Sequence, residues 1–161
     1  MTLDDLALAR AFHVLAVILW IGGVAFVTTV ALPAVRRTGV PENWLETFER
    51  LESRFANQAR GTTLVAGASG FYMVWVMDLW GRFLDAAYWW MHAMVLVWVI
   101  FTLMLFVLEP LVLHARLRER ARRDPEGTFA LVQRLHWVLL TLSLVTAFGA
   151  VAGAHGWLLF T

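Results

Sequence analysis

Apolar and polar residues are arranged along this chain in long blocks. From Ala11 to Val35 no side chain is charged, and comparable apolar runs occupy residues 61–80, 86–113 and 136–160. A bilayer-crossing helix needs about 20 apolar residues, so the pattern predicts four transmembrane helices, the second of them the shortest. Between the first two runs, Trp44, Leu45, Phe48, Leu51 and Phe55 recur at helical spacing, with Glu42, Glu46, Glu49, Glu52, Arg50 and Arg54 among them. This predicts an amphipathic helix over residues 42–60, lying on the membrane interface before helix 2. The stretch from His114 to Arg134 reads as an extension of helix 3, a break at Asp124-Pro125-Glu126-Gly127 and a lead-in to helix 4. The expected fold is all-α: a single transmembrane domain over residues 1–161, an integral membrane four-helix bundle with an interfacial helix between helices 1 and 2.

Composition sharpens the picture. Hydrophobic residues make up 60% of the 161 positions and charged residues 16%, with a mean hydropathy of +0.68. That exceeds what a soluble core of this size uses and points to lipid as a partner. Asp4 and Asp5 make the start acidic and the first apolar run is long, which argues against a cleaved signal peptide. All thirteen basic residues are Arg, and apart from Arg10 and Arg82 they fall within residues 36–60 and 116–134. Basic residues stay cytoplasmic, so both segments are expected inside and both termini on the periplasmic side of a bacterial inner (cytoplasmic) membrane. The arginines then face lipid headgroups, and no nucleic acid partner is expected. With no Cys, thiolate metal sites, disulfides and thiol catalysis are excluded. Trp75, Trp80, Tyr88, Trp89, Trp90 and Trp157 gather near the outer interface, where aromatic rings anchor helices.

Ionisable side chains are costly in a bilayer and tend to mark function. The topology places His13, His92 and His155 at one outer level, on helices 1, 3 and 4, and His114 and His136 at the inner ends of helices 3 and 4. Two imidazoles on facing helices can supply both axial ligands of a haem, and His13 and His92 are the candidate pair. His155, at the same level, is the candidate substitute for either. Gly22, Gly23, Gly67, Ala68, Ser69 and Gly70 are small enough to admit a macrocycle or simply a neighbouring helix. Arg10, one turn before His13, and Arg82 are candidate propionate partners or snorkelling interface residues. A second haem on His114 and His136 is disfavoured, because His114 follows Pro110 and opens the basic run HARLRER.

Several of these residues carry a family resemblance. Residues 12–26, FHVLAVILWIGGVAF, followed by LPAVRR at 32–37, are similar to the first helix of the copper-resistance D type membrane proteins and the bacterial membrane-bound protoporphyrinogen oxidases. Glu49-Arg50-Leu51 and Trp90-Met91-His92 resemble oxidase segments before helix 2 and at the start of helix 3. The resemblance covers about the first 110 residues, and it implies haem b on His13 and His92. Two departures weaken the carry-over of the oxidase reaction: Met94 stands where a basic residue is usual, and Ala154-His155-Gly156-Trp157 does not follow the oxidase pattern.

The leading expectation is thus a bis-histidine haem b membrane protein in quinone-linked or transmembrane electron transfer, with quinone or a redox protein as partner and homo-oligomers compatible. Copper transport or resistance is the alternative. Soft thioethers suit Cu(I), and Met73, Met77, Met91 and Met94 cluster in sequence position near His92. A protoporphyrinogen oxidase-like oxidoreductase is a further alternative, and a purely structural subunit would leave the histidines without chemistry.

Overall fold

The structure, a computed structural model, describes residues 3–157, except for the side chains of residues 3 and 112–114. The His114 side chain and the end of the fourth predicted helix, residues 158–160, therefore lie outside the described residues. Everything regular among the described residues is helical.

The first rod is α1 (Leu3–Phe26), a π-helical turn (Val27–Ala31) and α2 (Leu32–Thr38) without a break. It starts earlier than the apolar run predicts, because Asp4 and Asp5 suit the positive end of a helix. The π turn lies just before Pro33, whose ring would crowd the carbonyl four residues back in a regular α-helix. Gly39 and Val40 are extended, the conformation favoured for Val40 before a proline, and Pro41 opens α3 (Pro41–Val76).

Helix α3 corrects the sequence reading. The interfacial helix expected at 42–60 and the span expected at 61–80 are one helix of 36 residues, about 54 Å long at 1.5 Å per residue. Its buried stripe of Leu45, Phe48, Ala56, Ala59, Thr63 and Ala66 keeps helical period straight through Arg60-Gly61, so nothing favours a bend there. The first half is covered by protein: Trp44 and Phe48 share a buried cluster with Val27, Leu32 and Val35 of the first rod and Phe129 and Val132. Leu51, assigned to the apolar face by spacing, is 54% exposed.

After a left-handed Asp78 come two 3₁₀ turns (Leu79–Leu84 and Ala86–Tyr88), then α4 (Trp89–Leu103), a π-helical segment (Met104–Leu113) and α5 (His114–Arg123). Asp124 alone breaks the chain. Its carboxylate accepts from the Gly127 amide at 2.9 Å, and Pro125 starts α6 (Pro125–Ala154).

α1 runs antiparallel to α3, and α4 to α6. A core of Ala16, Trp20, Val24, Ala59, Ala66, Val97, Phe101 and Leu140 joins all four. Among the described residues, three helical stretches are long and apolar enough to cross a membrane, Asp4–Thr38, Ala86–Leu111 and Pro125–Ala154. Large apolar side chains such as Phe12, Leu15 and Ile18 are exposed along α1, compatible with lipid contact.

Candidate functional site

The two ends of the helices carry different chemistry. At the end holding the chain termini, His13 reaches from α1 to α3, where Nδ1 lies 2.9 Å from the Ala66 carbonyl and 3.1 Å from Ser69 Oγ. A carbonyl only accepts, so Nδ1 carries the proton and Nε2 keeps a lone pair. His155 is similar, with Nδ1 2.8 Å from the Val151 carbonyl. His92 is reversed. Its Nε2 lies 3.0 Å from the Phe83 carbonyl and its ring packs edge-on to Phe83, so Nε2 is the protonated nitrogen.

This geometry allows a test of the haem expectation. A histidine that binds iron through Nε2 donates its other nitrogen to a nearby acceptor; His13 and His155 have that arrangement, and His92 does not. The small residues expected to admit a macrocycle already face rings. Gly23 meets Phe55, a Cβ on Gly67 would come within 2.6 Å of Trp98, and one on Gly70 within 3.1 Å of His13 itself. Trp89 and Trp90, expected as interface anchors, fill the notches at Gly149 and Gly153 instead, and Trp90 is buried. As packed, the helices do not fit a haem between His13 and His92. Arg82 lies over the Tyr88 ring at 4.8 Å, and Arg10 is exposed. The copper set is spread from buried Met91 through half-buried Met73 and Met94 to exposed Met77 and His92. Among the described residues no cluster of three or more His, Cys, Asp or Glu gathers as if around a metal.

The opposite end, where the arginines concentrate, is built differently. In the π-helical segment each amide should bond the carbonyl five residues back, but Pro110 has no N–H to give Leu105. Arg60 takes that carbonyl instead, with Nε 3.1 Å from it, while NH1 reaches Asn57 at 3.0 Å and NH2 reaches Glu109 at 3.3 Å. About two turns of α3 further from the termini, Glu52 lies 3.6 Å from Nε2 of His136 on α6. His136 donates Nδ1–H to Val132 at 2.9 Å, and Phe48 packs edge-on to its ring. Only 14% of its side chain is exposed. Glu49 receives Arg118 through Nε at 3.0 Å and NH2 at 2.7 Å, and these bonds with the nearby negative charge hold the guanidinium pKa above its ordinary value. Glu49, Glu52, Glu109 and His136, with Phe48 and Leu139, line a cavity of about 70 Å³, room for a few waters.

Comparisons with protein-family models, curated proteins and solved structures find no match.

Sequence reasoning concentrated on the terminal-end histidines and passed over this cluster. The available signals were Glu109 interrupting the apolar run MLFVLEPLVL and Arg60 standing where helix 2 was expected to begin. What the Glu52–His136 and Arg60–Glu109 pairs required was knowledge of which helices touch.

Proposed function

We propose that this chain is a proton-handling integral membrane protein whose acid–base site is the Glu52–His136 pair at the arginine end. The supporting observation is that this pair lines a small, mainly apolar cavity beside helices apolar enough to span a membrane. Ionisable groups set among apolar side chains are costly unless they are paired or hydrogen-bonded, and imidazole with carboxylate is the combination that trades protons near neutral pH. His136 presents Nε2 to Glu52 because Nδ1 is committed to Val132. A proton arriving on Nε2 turns the contact into an ion pair, and its departure restores a lone pair facing the cavity. Arg60 is engaged by Leu105, Asn57 and Glu109, so it positions α3 against the π-helical segment.

In this proposal the apolar half of α3 beyond Gly61 is a fourth, short span completing a four-helix bundle. Both termini are periplasmic and the acid–base site faces the cytoplasm of a bacterial inner membrane. Cysteine accessibility at Thr38 and Arg122 checks the orientation: both should label from the cytoplasmic side, and periplasmic labelling reverses it. Function is tested in liposomes with an internal pH dye. Wild-type protein should speed proton equilibration over protein-free vesicles, with Glu52→Gln and His136→Asn each slowing it at least tenfold. Wild-type vesicles that leak no faster than empty ones would sink the proposal.

Haem b electron transfer is the second reading, now on His13 and His155, favoured by their shared commitment of Nδ1 to a backbone carbonyl. Protein expressed with supplied haem should then show a Soret band lost in His13→Ala and in His155→Ala and retained in His92→Ala. A colourless wild type excludes it.

A further inference from the structure

Among the described residues, three buried side-chain polar atoms have no hydrogen-bond partner: Trp20 Nε1, Thr63 Oγ1 and Thr102 Oγ1. They belong to three different helices, α1, α3 and α4, and Trp20 is 4% and Thr63 0% exposed. The packing places them at one level. On α1 and α3, His13 sits against Gly70; Trp20 lies seven residues after His13 and Thr63 seven before Gly70, so in an antiparallel pair they stay in register. Trp20 shares its cluster with Ala59 and Ala66, the residues one turn either side of Thr63. On α3 and α4, Gly67 faces Trp98 and Arg60 bonds Leu105; Thr63 and Thr102 lie between those two contacts in the same register. Trp98 Nε1 donates to the Thr63 carbonyl at 2.9 Å, and Phe101, next to Thr102, packs edge-on to Trp20 with centroids 4.8 Å apart.

A buried polar atom is rarely left unpaired in a folded protein, and three of them converging from separate helices satisfy the two-to-four-partner requirement of a bound water. Trp20 can only donate, while each hydroxyl both donates and accepts, so a single water can accept from the indole and exchange bonds with both threonines. We propose that Trp20, Thr63 and Thr102 form a buried water-binding layer at the middle of the helices. On α3 the layer lies about one turn from Ala66 and nearly two from Ser69, the partners of His13, and about one turn from Arg60 in the other direction. It therefore stands between the terminal-end histidine and the arginine-end cavity, and it would supply the middle of a hydrated path. This role in a path rests on the proton-handling reading; the water site itself does not.

The test uses the full-length protein in detergent micelles with ¹⁵N-labelled tryptophan indoles, the Trp20 signal being assigned by Trp20→Phe. A cross-peak between the Trp20 indole proton and water is expected in the wild type. It should be reduced at least fivefold in Thr63→Val/Thr102→Val, which keeps side-chain shape and removes both hydroxyls. No such cross-peak should appear for Trp98, whose N–H is held by Thr63. If the wild-type Trp20 indole proton shows no contact with water and the double variant melts at a higher temperature, the layer is dry and the proposal is overturned. If the double variant fails to fold, Thr102→Val alone and the wild-type spectrum decide. A wild-type cross-peak in a protein that moves no protons in liposomes upholds the water layer and defeats the proton-handling reading.

Discussion

The terminal end and the arginine end of this molecule use their ionisable residues in opposite ways. At the terminal end each histidine is held by a backbone carbonyl, with Ser69 Oγ also beside His13, and the glycine notches around them hold aromatic rings. At the arginine end ionisable side chains meet each other across helices, Glu52 with His136, Arg60 with Glu109 and Glu49 with Arg118. A histidine held only through a carbonyl has a partner whose charge does not change with its proton, and at His13 that bond also ties α1 to α3. A histidine on a carboxylate has a partner whose charge depends on the same proton. Depth in a predicted helix therefore picks out histidines that are structurally committed as readily as ones with chemistry, and the partner's identity separates the two.

The largest effect on stability should come from Arg60→Ala. It would leave Glu109 without its guanidinium and the Leu105 carbonyl without the donor that compensates for Pro110. Breaking a buried pair costs about 3–5 kcal/mol; with side chains 31% and 17% exposed, solvent screening lowers the expectation to roughly 2–3 kcal/mol. Arg60→Lys should recover only part of this, since an ammonium cannot match the planar fork. Unfolding of the detergent-solubilised protein measures both. Arg118→Ala, at an exposed guanidinium, should cost clearly less, and equal losses at Arg60 and Arg118 would erase the distinction between a π-segment strut and a surface tie.

Neighbouring glycines give the next contrast, closer to the terminal end. A Cβ on Gly23 collides with the Phe55 ring, whereas Gly22 has nothing within 4 Å. Gly23→Ala should destabilise by about 1–3 kcal/mol through overpacking, while Gly22→Ala should be neutral or stabilise by up to about 1 kcal/mol, as a helical Gly→Ala change does. Thermal melts of the two variants side by side are enough. If Gly23→Ala is tolerated as well as Gly22→Ala, the notch has room that the packed Phe55 denies.

Much of the fold was legible from patterning alone. The helix through the charge-free run from Ala11, the break at Asp124-Pro125 and the start of the buried stripe at Trp44, Leu45 and Phe48 appear where spacing put them, while Leu51 does not. The helix boundary expected near Arg60 was misplaced because polarity changes there while periodicity does not: the surface of α3 turns from charged to apolar, but its buried face continues. The acid–base pair was illegible for another reason. Glu52 and His136 are far apart in sequence, on helices whose pairing follows from shape, and each alone looks like an ordinary surface residue at the edge of an apolar run. The histidine tautomers were equally hidden, since the acceptor of each ring nitrogen is set by a neighbouring backbone carbonyl.

The smallest effects compare one capping device at both ends. Asp124 accepts from the Gly127 amide at the start of the long α6, and its own carbonyl receives the fully buried Thr128 hydroxyl at 2.7 Å. Asp85 accepts from the Ala87 amide at 2.9 Å, but it caps only the short 3₁₀ turn Ala86–Tyr88. Losing an N-cap side chain costs about 1 kcal/mol when the helix behind it is long and packed. Asp124→Ala should therefore lower stability by about that amount, with Asp124→Asn restoring most of it because the amide oxygen still accepts. Asp85→Ala releases the amide of one short 3₁₀ turn with no long helix behind it, so its cost should stay below that of Asp124→Ala. Denaturant titrations of Asp124→Ala, Asp124→Asn and Asp85→Ala decide the order. A larger loss at Asp85 would mean that the turn between α3 and α4 supports the terminal end more firmly than its hydrogen bonds imply, and would place structural weight where His92 meets Phe83.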